Sequence, residues 1–171
     1  SNIKSMFGEN GITRFVLNYN GVAEISDDTQ MTLFTANGLL YGITRFCMRG
    51  IGSDLFNYVA IAYDEWLQTQ MELPLEDEWH TCWIRNISAL NSRRAPGNTC
   101  LSALTALREQ KAVSNNSKGC GGVMRAATIG LLSGVACGKE TIDIACDCAA
   151  ITHKHPLGYL PAGILACIIR D

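Results

Sequence analysis

Apolar residues recur at helical spacing along most of this chain, and no segment alternates convincingly at period two. The clearest stripe is Leu55, Tyr58, Val59, Ala62, Tyr63 and Trp66, at i, i+3, i+4, i+7, i+8 and i+11, which predicts an amphipathic helix capped by Ser53. Another helix is predicted to open at Ser26-Asp27-Asp28-Thr29-Gln30-Met31. Ser26 or Asp27 can cap it, Gln30 stands three residues past Asp27 in capping-box spacing, and Met31, Phe34, Thr35, Gly38 and Leu39 share one face. After a Pro96-Gly97 turn, Asn98 or Thr99 starts a helix whose buried side should hold Leu101, Leu104 and Leu107. Further helices are predicted from Val123 to about Val135, ended by Gly138, and over about 140–152, with Ile142, Ala145, Cys146 and Ala149 on one side. Thr152-His153-Lys154-His155-Pro156 breaks the pattern, and a last apolar helix follows.

Between these lie three aperiodic stretches. Residues 3–25 carry Gly8, Gly11, Asn18, Asn20 and Gly21 and read as an irregular lead-in. Residues 71–85, with Pro74, the acids Glu76, Asp77 and Glu78 and two tryptophans, read as a surface loop with a helical turn and a solvated acidic face. Asn115 to Gly122 is a glycine-rich loop. The reading is all-α, one domain over 1–171. Small residues (Gly38, Gly42, Ala103, Gly130, Gly134, Ala145, Ala149 and Gly163) allow close helix packing.

Composition narrows the partners. Hydrophobic residues at 47% against 18% charged make a core-forming chain, and the length suffices for one sizeable core. A net charge of -2 excludes a strongly basic nucleic-acid footprint, and no apolar run or leader pattern points to a membrane. The eight cysteines contain no Cys-x-x-Cys pair, and Cys100, Cys137, Cys146 and Cys167 fall on apolar helical faces, so a cytoplasmic, reduced protein is expected. The opening Ser1-Asn2 without Met, and an apolar last helix without a cap, predict a piece of a longer protein, with that helix buried against further chain.

Chemistry enters at the paired acids. Two carboxylates about 4 Å apart repel by about 4 kcal/mol at an effective dielectric near 20, so a partly buried pair wants a cation. Carboxylate and hydroxyl oxygens suit Mg²⁺, Ca²⁺ or Mn²⁺ rather than zinc. The competing role is simple stabilisation of a helix N-terminus. The loop at 117–122 opens onto a predicted helix, an arrangement that can receive an anion; it has neither the Walker pattern nor a preceding strand, and a plain connector is the alternative. Histidines placed like His153 and His155 commonly bond a helix end. A zinc site from Cys146, Cys148, His153 and His155 is disfavoured, because positions i and i+2 of a helix point apart. Cys120 beside a histidine could act as a nucleophile, although only the helix start would lower its pKa. Arg93, Arg94 and Arg125 read by default as surface or structural pairing groups.

Four motifs stand together: Ser26 to Met31, Arg94-Ala95-Pro96-Gly97-Asn98-Thr99, Gly119 through Met124-Arg125, and Thr152-His153-x-His155-Pro156. Their order and rough spacing resemble the ADP-ribosylglycohydrolase family, from about residue 8 onward. That family includes the dinitrogenase reductase-activating glycohydrolases and the ADP-ribosyl-acceptor hydrolases. The resemblance implies an all-α hydrolase with two Mg²⁺ ions, or Mn²⁺, that cleaves the bond joining ADP-ribose to a protein side chain, arginine foremost. Its partners would be an ADP-ribosylated protein or ADP-ribose, with neither nucleic acid nor membrane.

By the same resemblance, Ser26, Asp27 and Asp28 look like metal ligands, with Asp27 and Asp28 catalytic. Gly119, Cys120, Gly121, Gly122 and Val123 look like the diphosphate loop, and His153 like the histidine lining the ADP-ribose cleft. The departures are equally specific. The family's Gly-Asp-Ala-x-Gly opening, the glutamate near it and its C-terminal Asp-x-Asp-Ser/Thr are missing; after the glycine loop the acids are Glu140, Asp143, Asp147 and Asp171. Asp143 and Asp147 stand one turn apart and are expected in solvent. Cys120 and Gly121 replace more polar loop residues, and Thr128 stands where proline is frequent. The chain alone is therefore expected to bind metal weakly and be inactive. The competing readings are a non-catalytic scaffold or binding module of the same fold, and another helical metallohydrolase acting on nucleotides.

Overall fold

The structure, a computed structural model, describes residues 2–71, 80–132 and 140–171. The fold is all-α, with no strand among the described residues. The helices are α1 (Asn2–Phe7), α2 (Asp27–Arg49), α3 (Leu55–Gln70), α4 (Asn98–Arg108), α5 (Ala127–Gly130), α6 (Thr141–Ala150) and α7 (Pro156–Arg170), with 3₁₀ turns at Trp83–Asn86, Ser88–Leu90 and Cys120–Arg125. The lead-in expected to be irregular throughout contains α1, which buries no residue; the Ser5 hydroxyl donates to the Asn2 carbonyl at 2.8 Å, a local bond suited to so short a helix.

Helices α2 and α3 form the centre. Met31, Phe34 and Leu39 meet Val59, Ala62, Tyr63 and Trp66 in one buried cluster, so the faces read from periodicity are the faces that pack. Gly38 sets the approach: a Cβ there would lie 2.8 Å from the Tyr58 carbonyl oxygen and 2.9 Å from Val59 Cα. The second layer pairs α6 with α7 through Gly163, whose added Cβ would stand 2.6 Å from Cys146 Sγ. Among the described residues no helix is long and apolar enough to cross a membrane.

Several local expectations are corrected. Ser26 is the N-cap of α2 but makes no side-chain cap bond. Gln30, instead of closing a capping box, is fully buried: its amide donates to the carbonyls of Leu90 (3.1 Å) and Ser92 (2.8 Å), and its oxygen accepts from Trp66 Nε1 at 3.3 Å. Long-range bonding outcompetes the local cap. Asp54, not Ser53, caps α3. Helix α4 starts at Asn98 as expected, but its buried side is Cys100, Ala103 and Leu104; Leu101 is half-buried and Leu107 exposed, because residues spaced strictly by three drift around the helix and cannot all share one face. On α6 the inward residues are Ile144, Ala145, Cys148 and Ala149, with Ile142 and Cys146 turned towards Gly163 of α7. The continuous helix expected from Val123 is a 3₁₀ turn followed by the four-residue α5. Its extension to Val135, the Gly138 stop, Cys137, Pro74 and the acids Glu76 to Glu78 lie outside the described residues.

The last helix starts as expected, with Pro156 at its first turn and His155 as N-cap, whose Nδ1 accepts the Leu157 N–H at 3.0 Å. Its outer face leaves Leu157, Leu160, Ile164 and Ile168 exposed.

Candidate active site

Asp27 and Asp28 form the first turn of α2; Ser26 and Asp28 are exposed and Asp27 is half-buried. Asp27 is placed by the segment leading into α4. The Gly97 N–H donates to Asp27 Oδ2 at 3.2 Å, and the Asp27 N–H donates to the Arg94 carbonyl at 2.8 Å. Arg94 in turn pairs with Glu24 at 3.0 Å. Between the two bonds Ala95 takes a φ of 53°, a left-handed conformation costing a non-glycine residue roughly 1 kcal/mol or more. Burial pushes the Asp27 carboxyl above its usual range; the Gly97 N–H opposes that rise, and the neighbouring Asp28 charge adds to it. No lysine or arginine pairs with either aspartate among the described residues.

The glycine loop lies on the other flank of the α4 N-terminus. Thr99 Oγ1 and Ser117 Oγ are hydrogen-bonded at 3.2 Å. Asn115 staples the loop to the segment holding His153: its amide donates to the Thr152 carbonyl at 2.9 Å, and its oxygen accepts the Ser117 and Lys154 N–H groups, each at 3.2 Å. Thr32, one turn into α2, donates to the Met124 carbonyl at 3.0 Å, joining the acidic helix to the 3₁₀ turn after the loop. The helix predicted to follow the loop is here a 3₁₀ turn, so little helix dipole stands behind it; the turn's opening N–H groups are what the loop can offer an anion.

His153 is buried and its ring packs on the loop. A Cβ added to Gly121 would lie 2.6 Å from His153 Cε1, 3.0 Å from its Nε2 and 3.3 Å from Cys100 Sγ. Cys100, in the first turn of α4, also feels the Asp27 charge, while burial pushes its thiol up. Gly97, which bonds Asp27, and Cys100, which stands beside Gly121 and His153, thus lie within one turn of the same helix start. Gly119 and Cys120 are exposed, Gly121 and Val123 half-buried, and Gly122 buried, where its added Cβ would meet the Gly158 carbonyl oxygen at 2.6 Å. Burial and the Arg125 charge push the His153 imidazole down to about 4, so the ring is neutral at physiological pH.

Other candidates separate. His155 is the helix-end hydrogen-bonder. Among the described residues no group of three His, Cys, Asp or Glu side chains gathers as a metal site, so Cys146, Cys148, His153 and His155 do not converge. The Cys120 thiol is exposed and makes no hydrogen bond to a histidine. Asp143 is exposed and Asp147 partly so.

Arg125 is 1% exposed beneath the loop. Its guanidinium sits 4.5 Å from the Tyr63 ring centroid and donates to Thr152 Oγ1 at 2.7 Å and to the Cys148 and Ala149 carbonyls at 3.3 and 3.4 Å. Read from sequence as a pairing residue, it pairs with neutral partners. Its link to His153 through Thr152 spans 27 positions and has no periodic signal; only the adjacency of Thr152 and His153 in one motif hints at it.

A family model described as ADP-ribosylglycohydrolase matches residues 2–171. No curated protein and no solved structure matches the chain.

Proposed function

This chain belongs to the ADP-ribosylglycohydrolase family, a family of glycosidic-bond hydrolases, and from that premise we propose that it acts in removing ADP-ribose from modified protein side chains, arginine foremost. The scissile bond is the one at the ribose anomeric carbon. What supports the reading is the convergence at the start of α4, where Gly97 bonds Asp27 on one flank while Thr99 and Cys100 meet the glycine loop and His153 on the other. The span leaves the diphosphate at the loop and the reacting sugar towards the acids, so remote binding energy positions the bond to be broken.

Ser26, Asp27 and Asp28 offer hard oxygen donors without a cationic partner, a donor set that suits Mg²⁺ or Mn²⁺. A divalent ion bound there supplies Lewis-acid polarisation of water and orientation of the ribose hydroxyls. The chain's own groups do the rest. The Asp27 and Asp28 carboxylates stabilise positive charge developing at the anomeric carbon. The loop of Gly119, Cys120, Gly121, Gly122 and Val123 binds the diphosphate through the N–H groups that open its 3₁₀ turn, and His153 lines the cleft. The 171 residues contain no Asp-x-Asp, so the acids make one half of a two-ion site, and this chain alone holds metal weakly and turns over little or not at all. The cysteine pattern, with no Cys-x-x-Cys pair, fits a reducing cytoplasm.

Calorimetric titration of ADP-ribose into the chain, with and without Mg²⁺, tests the binding half. Mg²⁺-enhanced binding that Asp27→Ala and Asp28→Ala abolish is the expected result. Release of ADP-ribose from an arginine-modified peptide by the intact gene product tests the rest; release indifferent to both substitutions would overturn the reading.

A further inference from the structure

The Arg125, Thr152 and His153 side chains form a chain of contacts that ends on the glycine loop. Arg125 Nη2 lies 2.7 Å from Thr152 Oγ1, which lies 2.8 Å from His153 Nδ1. The far ring nitrogen, Nε2, is 3.0 Å from the position a Cβ would take at Gly121 and 3.5 Å from the corresponding position at Gly119. All three residues are nine-tenths or more buried.

The direction of each bond follows from what each group can do. A guanidinium has no acceptor, so Arg125 donates and the Thr152 oxygen accepts. The hydroxyl has one proton to give. Its nearby alternative acceptor, the Cys100 sulfur, is weak, whereas an unprotonated imidazole nitrogen at 2.8 Å is strong. Donation from the cation polarises the hydroxyl and makes it a better donor still. The opposite tautomer would aim the Nδ1–H dipole at a buried positive charge. Arg125 has no carboxylate partner among the described residues to soften that repulsion.

We propose that Arg125 and Thr152 are positioning residues that hold His153 as the Nε2–H tautomer, so that the loop presents a neutral hydrogen-bond donor to an oxygen acceptor of the bound ligand. That the ligand is ADP-ribose rests on the functional reading above; the tautomer does not. The device separates two tasks. Arg125 keeps its charge beneath the loop, and His153 extends a directed N–H to the glycine loop without becoming a cation.

The test is long-range ¹H–¹⁵N correlation on the chain labelled at its histidines, which distinguishes the two tautomers without ligand. His153 should show a protonated-type shift at Nε2 and an unprotonated-type shift at Nδ1. Thr152→Val should mix the tautomers and weaken ADP-ribose binding about tenfold, and Thr152→Ser should restore both. Arg125→Met, of similar volume, should also mix them, with circular dichroism confirming the fold. An Nδ1–H tautomer in the parent chain, or a Thr152→Val chain with unchanged tautomer and affinity, overturns the proposal. If the parent shows the Nε2–H tautomer yet binds no ADP-ribose, the functional reading falls and the positioning of His153 stands.

Discussion

At the scale of single residues, the site rests on groups kept in costly states. His153 is neutral because burial and Arg125 push it down to about 4 from its ordinary 6.5. The unfolded chain takes up the proton first as pH falls, so stability is full above about 6.5 and drains away towards 4. That loss should reach roughly 3 kcal/mol in urea denaturation followed across the window, and His153→Gln should flatten that part of the profile. Asp27 is displaced the other way, its carboxyl raised by burial, so ionisation works against folding as pH climbs through its folded pKa. Asp27→Asn is therefore expected to melt no lower than the parent without metal. It should lose the gain the parent shows with Mg²⁺, about 1.4 kcal/mol or roughly 3–5 °C at a tenfold excess over Kd. A differential scan of both chains with and without the ion checks this. Gly121→Ala brings a methyl to 2.6 Å from the His153 ring, and calorimetry should show ADP-ribose affinity reduced at least about tenfold by ring displacement.

At the scale of elements, α2 and α3 meet where Gly38 leaves room for backbone. Gly38→Ala places a methyl against the Tyr58 carbonyl oxygen and Val59 Cα, atoms that cannot move aside as a side-chain end can. The gain in helix propensity, about 1 kcal/mol, is smaller than overpacking of about 1–3 kcal/mol. Net destabilisation is expected, read as a lower urea midpoint. Helix α3 also anchors the segment entering the first 3₁₀ turn. Buried Glu65 accepts the Thr81 N–H at 2.6 Å, the Thr81 hydroxyl at 2.7 Å and the Cys82 N–H at 3.1 Å. Glu65→Gln turns an N–H₂ towards donors, and the same measurement should show a loss of about 2 kcal/mol.

At the scale of the whole molecule, α6 and α7 pack as a layer whose outer side stays apolar. Ile164 and Ile168, 55% and 67% exposed, sit on the outward face of α7. Replacing both with Lys should leave the unfolding free energy within about 0.5 kcal/mol and raise solubility, as measured by denaturation and by precipitation in ammonium sulfate. A drop of several kcal/mol would show that these side chains are buried in solution.

The helical periods of Leu55 to Trp66 and Met31 to Leu39 were enough to define the two central helices, because burial of an apolar stripe depends on spacing alone. The motif order was enough to identify the family. The sequence could not show that Gln30 would leave its cap for the Leu90 and Ser92 carbonyls, or that Asp27 would be held by Gly97, 70 positions away. Nor could it orient His153 through Arg125 and Thr152. Each of those outcomes is a competition between a local partner and a distant one. Only the packing of α2 against residues 90–97, and of the loop against α6 and α7, brings the distant partner within hydrogen-bond range, where it wins.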